Sequence, residues 1–304
     1  MNFKIFKNFY KADAVKQVRH LLLTFFLLMF IAFIIILPYK IALAVGRILG
    51  LGVCFLAPVY KKRTVKNLRI AFPEKSPLEI KKICIDSYKN MGMNLVDVAL
   101  LNFRPKVFWF KRINFKNEKY LKNAYQSGKG IIYLTAHISN WELMGAYLSM
   151  KGYSINVVAK KIYDKNLNDL LVKFLRGNKG VKTIYRAGRT NTRKMLRALK
   201  KGEVLGILID QDTDVGGTFV KFFDRPAYTP TAVSQFSRIP DTVVVPGFIY
   251  RKKDKSYQLE LQPPRTAGKN VKVETQEFTQ IIENFIRRFP AQWVWMHPRW
   301  KSRP

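Results

Sequence analysis

The sequence predicts an α/β fold with a mostly parallel central sheet flanked by helices, preceded by an N-terminal membrane-associated helical segment. Short apolar runs rich in β-branched residues alternate with longer helical stretches, a pattern typical of parallel sheets covered on both faces. Hydrophobic residues make up 48% of the chain, which is ample material for a core. One long apolar run lies near the start of the chain and predicts the membrane segment.

That apolar run extends from Leu21 to Leu37, and Thr24 is its only polar side chain. A run of about 17 residues is the lower limit for a helix that crosses a bilayer. Pro38 follows it instead of the small-residue cleavage site of a signal peptide, so we expect the segment to be retained. We therefore assign residues 1–60 to a membrane anchor with embedded helices and residues 61–304 to the α/β domain.

Basic residues flank the run on both sides, so the positive-inside rule gives no orientation. The segment either spans the bilayer or lies in the cytoplasmic leaflet, and the apolar stretch from Ile41 to Tyr60 continues it as a second embedded helix. A buried hairpin in a soluble protein is the alternative.

The remaining elements follow in order along the chain. Ser76 to Glu79 forms a capping box with Pro77 at the first helical position, which predicts a helix from Pro77 to about Ala99. The basic and aromatic stretch from Phe103 to Lys129 is predicted to be a connector with a strand or two.

The alternating pattern then predicts six strands, Gly130 to Ala136, Ser154 to Ala159, Val181 to Tyr185, Val204 to Ile209, Thr242 to Tyr250 and Tyr257 to Leu261. Predicted helices are Trp141 to Met150, Asn166 to Arg176, Thr190 to Lys200, Thr231 to Arg238 and Thr275 to Phe289. An aromatic and basic tail follows the last helix.

The strand from Gly130 to Ala136 runs directly into His137, and Glu142 follows five residues later. Ligands collect at the carboxyl ends of strands in such sheets, and an imidazole beside a carboxylate is suited to deprotonate a hydroxyl. His137 in the turn and Glu142 in the first helical turn can meet. Glu142 also completes a capping box with Ser139, so a purely structural role stays open.

Four ordered blocks resemble the bacterial lipid A late acyltransferases, the lauroyl and myristoyl type within the H-x4-D/E glycerolipid acyltransferase superfamily. These blocks are RTVKNLRIAFPE from Arg63, the His137–Glu142 block, DQD from Asp210 with GTFVKFF from Gly217, and WMHPRWK from Trp295. The sequence departs from the family pattern at Lys221, where Pro is usual, and at Pro298, where a basic residue is common.

The resemblance implies transfer of a fatty acyl group from an acyl carrier protein thioester to a hydroxyl of a glycolipid, typically on a 3-hydroxyacyl chain of a lipid A precursor, at the cytoplasmic face of the bacterial inner membrane. It implies that His137 is the general base and Glu142 its orienting partner, without a covalent acyl-enzyme. It implies an anion-binding position at Lys161, where the family commonly has Arg. We expect Arg176, Arg186 and Arg189 as further anion ligands, although solvated surface charge is the alternative reading.

Asp210, Asp212 and Asp214 need separate treatment, because a D-x-D-x-D run suggests a metal. Val215 and Lys221 occupy the positions where an EF-hand loop has Gly and Glu, so that template fails. We expect no metal and no cofactor. Asp210 and Asp212 are instead expected to pair with nearby Lys or Arg and to shape the substrate mouth.

The net charge of the chain indicates which partners it binds. The sequence has 54 Lys and Arg residues and 20 Asp and Glu residues, which gives a net charge of +34. Such an excess favours anionic partners. An acidic carrier protein, a phosphorylated glycolipid and an anionic membrane all fit. Basic residues are spread along the chain and no nucleic-acid motif occurs, so we expect no nucleic acid as partner.

Three other functions stay open: an acyltransferase acting on lysophospholipids or other membrane lipids, a metal-dependent glycosyltransferase using Asp210 and Asp212, and a membrane-tethered nucleic-acid binder. For the acyl chain we expect an apolar cleft lined by Leu143 to Leu148 and Phe219 to Phe223, in which Gly145 and Ala146 limit chain length.

Overall fold

The structure is a computed structural model that describes residues 22, 25, 26, 28–161, 168–186, 188–268 and 270–304. Its helices are α1 (Tyr39–Leu56), α2 (Pro58–Ala71), α3 (Pro77–Leu100), α4 (Lys106–Phe110), α5 (Lys119–Gln126), α6 (Trp141–Met150), α7 (Arg189–Lys200), α8 (Ala232–Phe236) and α9 (Val271–Arg288). Its strands are β1 (Ile113–Lys116), β2 (Gly130–Thr135), β3 (Ile155–Ala159), β4 (Lys182–Tyr185), β5 (Val204–Leu208), β6 (Gly217–Phe222), β7 (Arg225–Pro230), β8 (Thr242–Arg251) and β9 (Tyr257–Leu261).

Seven strands form the central sheet in the order β1-β9-β8-β2-β5-β3-β4. Neighbouring strands are parallel except β8 and β9, which pair antiparallel. The mostly parallel sheet flanked by helices is therefore confirmed. In this order β2 and β5 are neighbours, so the loops that follow these two strands leave the same edge of the sheet.

Two hydrophobic clusters cover the opposite faces of this sheet. Because side chains alternate along a strand, Ile132 and Leu134 of β2 lie in the cluster that contains α2, α7 and α9 residues. Ile131 and Tyr133 lie in the cluster that contains α1, α5 and α6 residues. The long helix α3 contributes to both clusters, which joins the N-terminal helices to the sheet.

Helix α1 packs against α3 at very short range through glycines. A Cβ added at Gly46 would lie 2.6 Å from the Gly92 carbonyl oxygen, and one added at Gly50 would lie still closer to the main chain at Tyr88. The outward side of α1 exposes large apolar residues, among them Ile48 and Leu56. Only glycine permits this close helix contact, which leaves an apolar surface facing away from the sheet.

Within the described part of the chain, α1 is a helix long and apolar enough to cross a membrane. The sequence instead predicts the membrane segment at Leu21 to Leu37, and only part of that run lies within the described residues, where 28–36 are helical. The assignment of residues 1–60 and 61–304 to separate units stays a prediction.

Most predicted elements after residue 76 are confirmed to within one or two residues, but the sequence does not predict the hairpin of β6 and β7. Its two-residue turn places Phe223 and Asp224 at φ 51° and 57°, where glycine or asparagine is the usual residue. Helix α9 also begins four residues before the predicted Thr275, since the Asn270 side chain accepts hydrogen bonds from the Lys272 and Val273 amides. The predicted start of the helix at Asn166 lies outside the described residues.

Candidate active site

His137 lies in the turn between β2 and α6, at the carboxyl edge of the sheet, as the sequence predicts. Its side chain is 24% exposed and lines a cavity of about 580 Å³. The Trp141 ring, from the first residue of α6, meets the imidazole edge to face with 5.0 Å between ring centres. The imidazole is therefore held at the cavity wall with access to a ligand inside it.

The carboxylate that contacts the His137 ring belongs to Asp210, which follows β5. His137 Nδ1 lies 2.9 Å from Asp210 Oδ1. The other oxygen, Oδ2, accepts from the His137 main-chain N–H at 2.9 Å and from Trp293 Nε1 at 2.7 Å. Asp210 thus fixes both the ring and the backbone of His137, instead of pairing with Lys or Arg as the sequence predicts.

The protonation of this pair follows from its contacts. Burial alone would raise the pKa of the Asp210 carboxyl, but the His137 imidazole and the hydrogen bonds from His137 and Trp293 lower it below its ordinary value. An ionised Asp210 can only accept a hydrogen bond, so it favours the tautomer with the proton on Nδ1, and Nε2 is then the nitrogen that can accept a proton.

Glu142 makes a different contact from the predicted one. Arg176 donates to both of its carboxylate oxygens, from Nε at 2.8 Å and from Nη2 at 2.5 Å. Burial alone would lower the pKa of the Arg176 guanidinium, but the hydrogen bonds to Glu142 raise it. In this structure Glu142 therefore holds Arg176 at the cavity wall, and Asp210 takes the place beside His137 that the sequence assigns to Glu142.

The turn that carries His137 is strained and fastened on several sides. Ser139 has φ 50°, a left-handed conformation that costs a non-glycine residue about 1–3 kcal/mol. Its amide donates to the Gln292 carbonyl at 2.6 Å, and the Val294 amide donates to the His137 carbonyl at 3.2 Å. The carboxy-terminal segment thus clamps the turn from one side.

Helix α3 fastens the same turn from another side through Asn94. Asn94 Nδ2 donates to the Ser139 carbonyl at 2.7 Å, and its Oδ1 accepts from Arg251 Nη2 at 2.9 Å. Arg251 also forms a buried ion pair with Asp97 at 2.6 Å. A buried charged network therefore holds Asn94, which in turn holds the His137 turn.

Asp212 lies two residues beyond Asp210 but contacts the carboxy-terminal tail. Its carboxylate accepts from the Ser302 amide at 2.9 Å and lies 3.8 Å from Lys301 Nζ, the kind of pairing that the sequence predicts. The described residues contain no group of three His, Cys, Asp or Glu side chains that could hold a metal ion. Asp210 and Asp212 thus have different structural roles, one at His137 and the other at the carboxy-terminal tail.

A buried guanidinium lies between these carboxylates and the β6–β7 hairpin. Arg299 is fully buried and donates to the Tyr228 carbonyl and the Thr229 hydroxyl. Burial lowers the pKa of Arg299 to about 10, against the opposing effect of Asp210 and Asp212. Its positive charge offsets part of the negative charge around Asp210.

Charged and polar side chains line the cavity together with His137. They include Glu142, Lys160, Arg176, Arg186, Gln211 and Thr213. Arg176 and Arg186 therefore lie at the cavity, and their role as anion ligands stays a prediction. Lys161 and Arg189 are exposed and do not line it, whereas the neighbouring Lys160 does.

The rest of the cavity wall is mostly apolar. From α6 it receives Met144, Gly145 and Leu148, within the segment that the sequence predicts. The other predicted segment, Phe219 to Phe223, does not line it, because Phe222 and Phe223 are buried in the core. Ala146 is also buried elsewhere, so Gly145 is the small residue that faces the cavity.

Comparison with known proteins adds independent findings. Residues 12–302 match the family model described as bacterial lipid A biosynthesis acyltransferase. The chain is 29% identical over 279 residues to the lipid A biosynthesis lauroyltransferase of Escherichia coli (strain K12), covering 88% of each chain. It is 28% identical over 280 residues to the lipid A biosynthesis palmitoleoyltransferase of the same organism, covering 88% of this chain and 87% of the relative.

A more distant match is the phosphatidylinositol mannoside acyltransferase of Mycolicibacterium smegmatis, 20% identical over 184 residues and 60% of each chain.

Proposed function

Because the chain belongs to the bacterial lipid A biosynthesis acyltransferase family and is an acyltransferase, we propose that it moves a fatty acyl group from an acyl carrier protein thioester to a hydroxyl of a lipid A precursor. The single observation that carries the mechanism is the His137–Asp210 pair at the mouth of an apolar cavity. A paired imidazole supplies the base, and the cavity holds the acyl chain.

In the proposed reaction, His137 Nε2 removes the proton from the acceptor hydroxyl while the hydroxyl oxygen attacks the thioester carbonyl carbon. The tetrahedral intermediate collapses, the carbon–sulfur bond breaks, and His137 returns the proton to the departing thiolate. An ester and a free thiol result. Asp210 holds the Nδ1–H tautomer and stabilises the imidazolium that forms between these steps.

The intermediate carries a negative oxygen that needs positive partners. Arg176, Arg186 and Lys160 line the same cavity, and α6 begins at Trp141 immediately after the His137 turn. Positive side chains and the N-terminal end of a helix both stabilise developing negative charge. In this proposal Glu142 acts through Arg176, which it keeps in place.

The inner wall of the cavity is suited to limit the length of the acyl chain. A Cβ added at Gly145 meets no atom within 4 Å, so this residue borders open space inside the cavity. Gly206, on β5, also borders it, and an added Cβ there would make ordinary contacts at 3.5 and 3.6 Å. Side chains at these positions are expected to shorten the preferred donor chain.

For the donor, we propose that the acidic carrier protein binds a cationic rim made of Lys161 and Arg189, two exposed cations that follow the cavity-lining Lys160 and Arg186 in the sequence. These side chains are exposed, as a docking surface for a protein requires. Charge complementarity at such a rim increases the association rate and weakens with salt.

We also propose that the protein works at the cytoplasmic face of the inner membrane through the apolar surface of α1. Because α1 packs along α3 and α3 packs on the sheet domain, α1 lies along the body of the protein. A helix held in this way is suited to lie in the leaflet facing that body.

The test is an assay of purified protein with acyl carrier protein thioester and a lipid A precursor, read by mass spectrometry. One added acyl group on the precursor, lost in His137→Ala, supports the proposal. Transfer to a lysophospholipid with an unchanged lipid A precursor would contradict the proposed acceptor. Turnover that requires a divalent metal and a sugar nucleotide would contradict acyl transfer as the reaction.

A further inference from the structure

The apolar wall of the active-site cavity comes from both faces of the central sheet. β5 shows this directly, since Val204, Gly206 and Leu208 lie on one face and Ile207 on the other, and all four line the cavity. Val204 belongs to the hydrophobic cluster on the α6 side, whereas Ile207 belongs to the cluster on the α7 and α9 side. The cavity wall therefore has two parts, one from each face of the sheet, which we call lobes.

We call the lobe on the α6 side the inner lobe. Its apolar wall includes Tyr133, Met144, Gly145, Leu148, Val204 and Gly206. Most of these residues are buried. From Leu208 to Val204 the lobe follows four residue steps of a strand, about 13 Å at about 3.3 Å per residue. It is an apolar recess with buried walls that extends along β5.

We call the lobe on the α7 and α8 side the outer lobe. Its wall consists of Val158, Thr192, Met195, Ile207, Ala232, Gln235 and Phe236. Thr192 and Gln235 are exposed, and Ala232 and Phe236 are half-buried. This lobe is an open apolar groove, unlike the recess on the other face of the sheet.

The two substrates of the proposed reaction have different shapes. The donor acyl chain is a simple tail with the reacting carbonyl at its end, so it can enter a closed recess end first. The acceptor hydroxyl lies on a chain that continues on one side and joins a large polar headgroup on the other. Such a chain cannot enter a closed recess end first and bring its hydroxyl to His137, so it needs an open groove.

We propose that the inner lobe binds the donor acyl chain and the outer lobe binds the hydroxyacyl chain of the acceptor, with both reacting groups brought to His137. This assignment rests on the proposed acyl transfer. It makes the outer lobe a binding site for an aliphatic chain and Ala232 a residue that determines acceptor binding.

The test compares two small-to-leucine substitutions on helices that face different lobes. Gly145→Leu is expected to lower kcat/KM for the longest accepted donor by about 4-fold for each methylene it excludes, with an unchanged KM for the acceptor. Ala232→Leu is expected to raise the KM for the acceptor by about 10-fold and to leave the order of preference among donor chain lengths unchanged. Initial rates with donors of several lengths and a series of acceptor concentrations provide both measurements.

Milder substitutions keep the test valid if either variant folds poorly. Gly206→Ala replaces Gly145→Leu in the inner lobe, and Thr192→Leu replaces Ala232→Leu on the exposed rim of the outer lobe. A change of donor length preference in the outer-lobe variants, or of acceptor KM alone in the inner-lobe variants, would overturn the assignment. Wild-type protein without any acyl transfer would instead refute the proposed function, so the two failures are distinguishable.

Discussion

The His137 turn and the cationic rim, Lys161 and Arg189, differ in how firmly their side chains are held. Asp210, Trp293, Gln292 and Asn94 all make hydrogen bonds that fix the turn. Lys161 and Arg189 on the rim are exposed to solvent. In the proposed function, His137 is a base that must be held rigidly to react, whereas the rim is a docking surface that only has to present charge. We therefore expect substitutions in the turn to reduce kcat and substitutions on the rim to change KM.

The largest effect is expected from Asp210→Asn. The two donors on Oδ2, the His137 amide and Trp293 Nε1, require the new amide oxygen at that position. The amide NH2 group then faces His137 Nδ1 and drives the imidazole proton to Nε2, which removes the base. We expect kcat to fall by about 10³-fold with little change in KM.

Steady-state kinetics checks this prediction, with Glu142→Gln as the comparison, because that variant leaves the His137–Asp210 contact intact. A smaller loss in Asp210→Asn than in Glu142→Gln would contradict the assignment of Asp210 as the orienting carboxylate.

The sequence predicts the position of a site residue when that position depends on one local element, and fails when it depends on distant segments coming together. The position of His137 is predicted correctly, because it follows from one strand and the turn after it. The contact between Asp210 and His137 is not predicted, because it requires β5 to lie beside β2. The pairing of distant strands cannot be inferred from the sequence of either strand. The DQD block directly after a buried strand was the available indication. Asn94 and Trp293 are missed because they lie on distant segments and carry no local pattern.

For the fold, too, the sequence predicts local elements better than features that depend on packing. Most strands and helices after residue 76 are predicted from hydrophobic periodicity and caps, since these are local properties. Helices α4 and α5 are not, because they lie in the stretch predicted as a connector with a strand or two. The β6–β7 hairpin is not predicted, because its turn consists of Phe223 and Asp224, which are not typical turn residues in this conformation. The packing of Phe223 in the core imposes that conformation.

Asn94→Ala is expected to have the second largest effect. It removes the donor to the strained Ser139 carbonyl, so the turn can relax and His137 moves from its reactive position. We expect kcat to fall by about 10-fold to 100-fold, since small displacements of a catalytic group are costly. Hydrogen exchange of the peptide that covers residues 135–143 should become faster in this variant.

The control for Asn94→Ala is Asn114→Ala, which removes a side-chain hydrogen bond to Gln258 at the β1 edge of the sheet. It should leave kcat unchanged. Normal kcat and unchanged exchange in Asn94→Ala would show that Asn94 does not hold the turn.

The rim is expected to respond more weakly. Lys161→Glu with Arg189→Glu should raise the KM for acyl carrier protein thioester by about 5-fold to 10-fold at low salt, and the difference should shrink with added salt. Lys200→Glu with Lys201→Glu, exposed cations at the end of α7, makes the same change in net charge elsewhere. An equal effect of both pairs would indicate that the overall charge, and not the rim, attracts the donor.

The smallest effect concerns stability at acid pH. The pKa of Asp210 in the folded protein is lower than its ordinary value of 3.8, so its ionisation stabilises the fold above that pH. This stabilisation is lost as the pH falls through the lowered pKa. The wild type should therefore lose its advantage in melting temperature over Asp210→Asn below pH about 3.8, measured by thermal unfolding. A difference that does not change with pH would contradict an ionised Asp210.

The central claim is that Asp210 fixes the His137 imidazole as the Nδ1–H tautomer. Nitrogen-15 NMR of histidine-labelled protein measures this tautomer directly, since the chain has only three histidines and His137→Ala identifies the signal. We predict the Nδ1–H form in the wild type and in Glu142→Gln, and its loss in Asp210→Asn. An Nε2–H form in the wild type, or a tautomer that changes in Glu142→Gln and not in Asp210→Asn, would contradict the account.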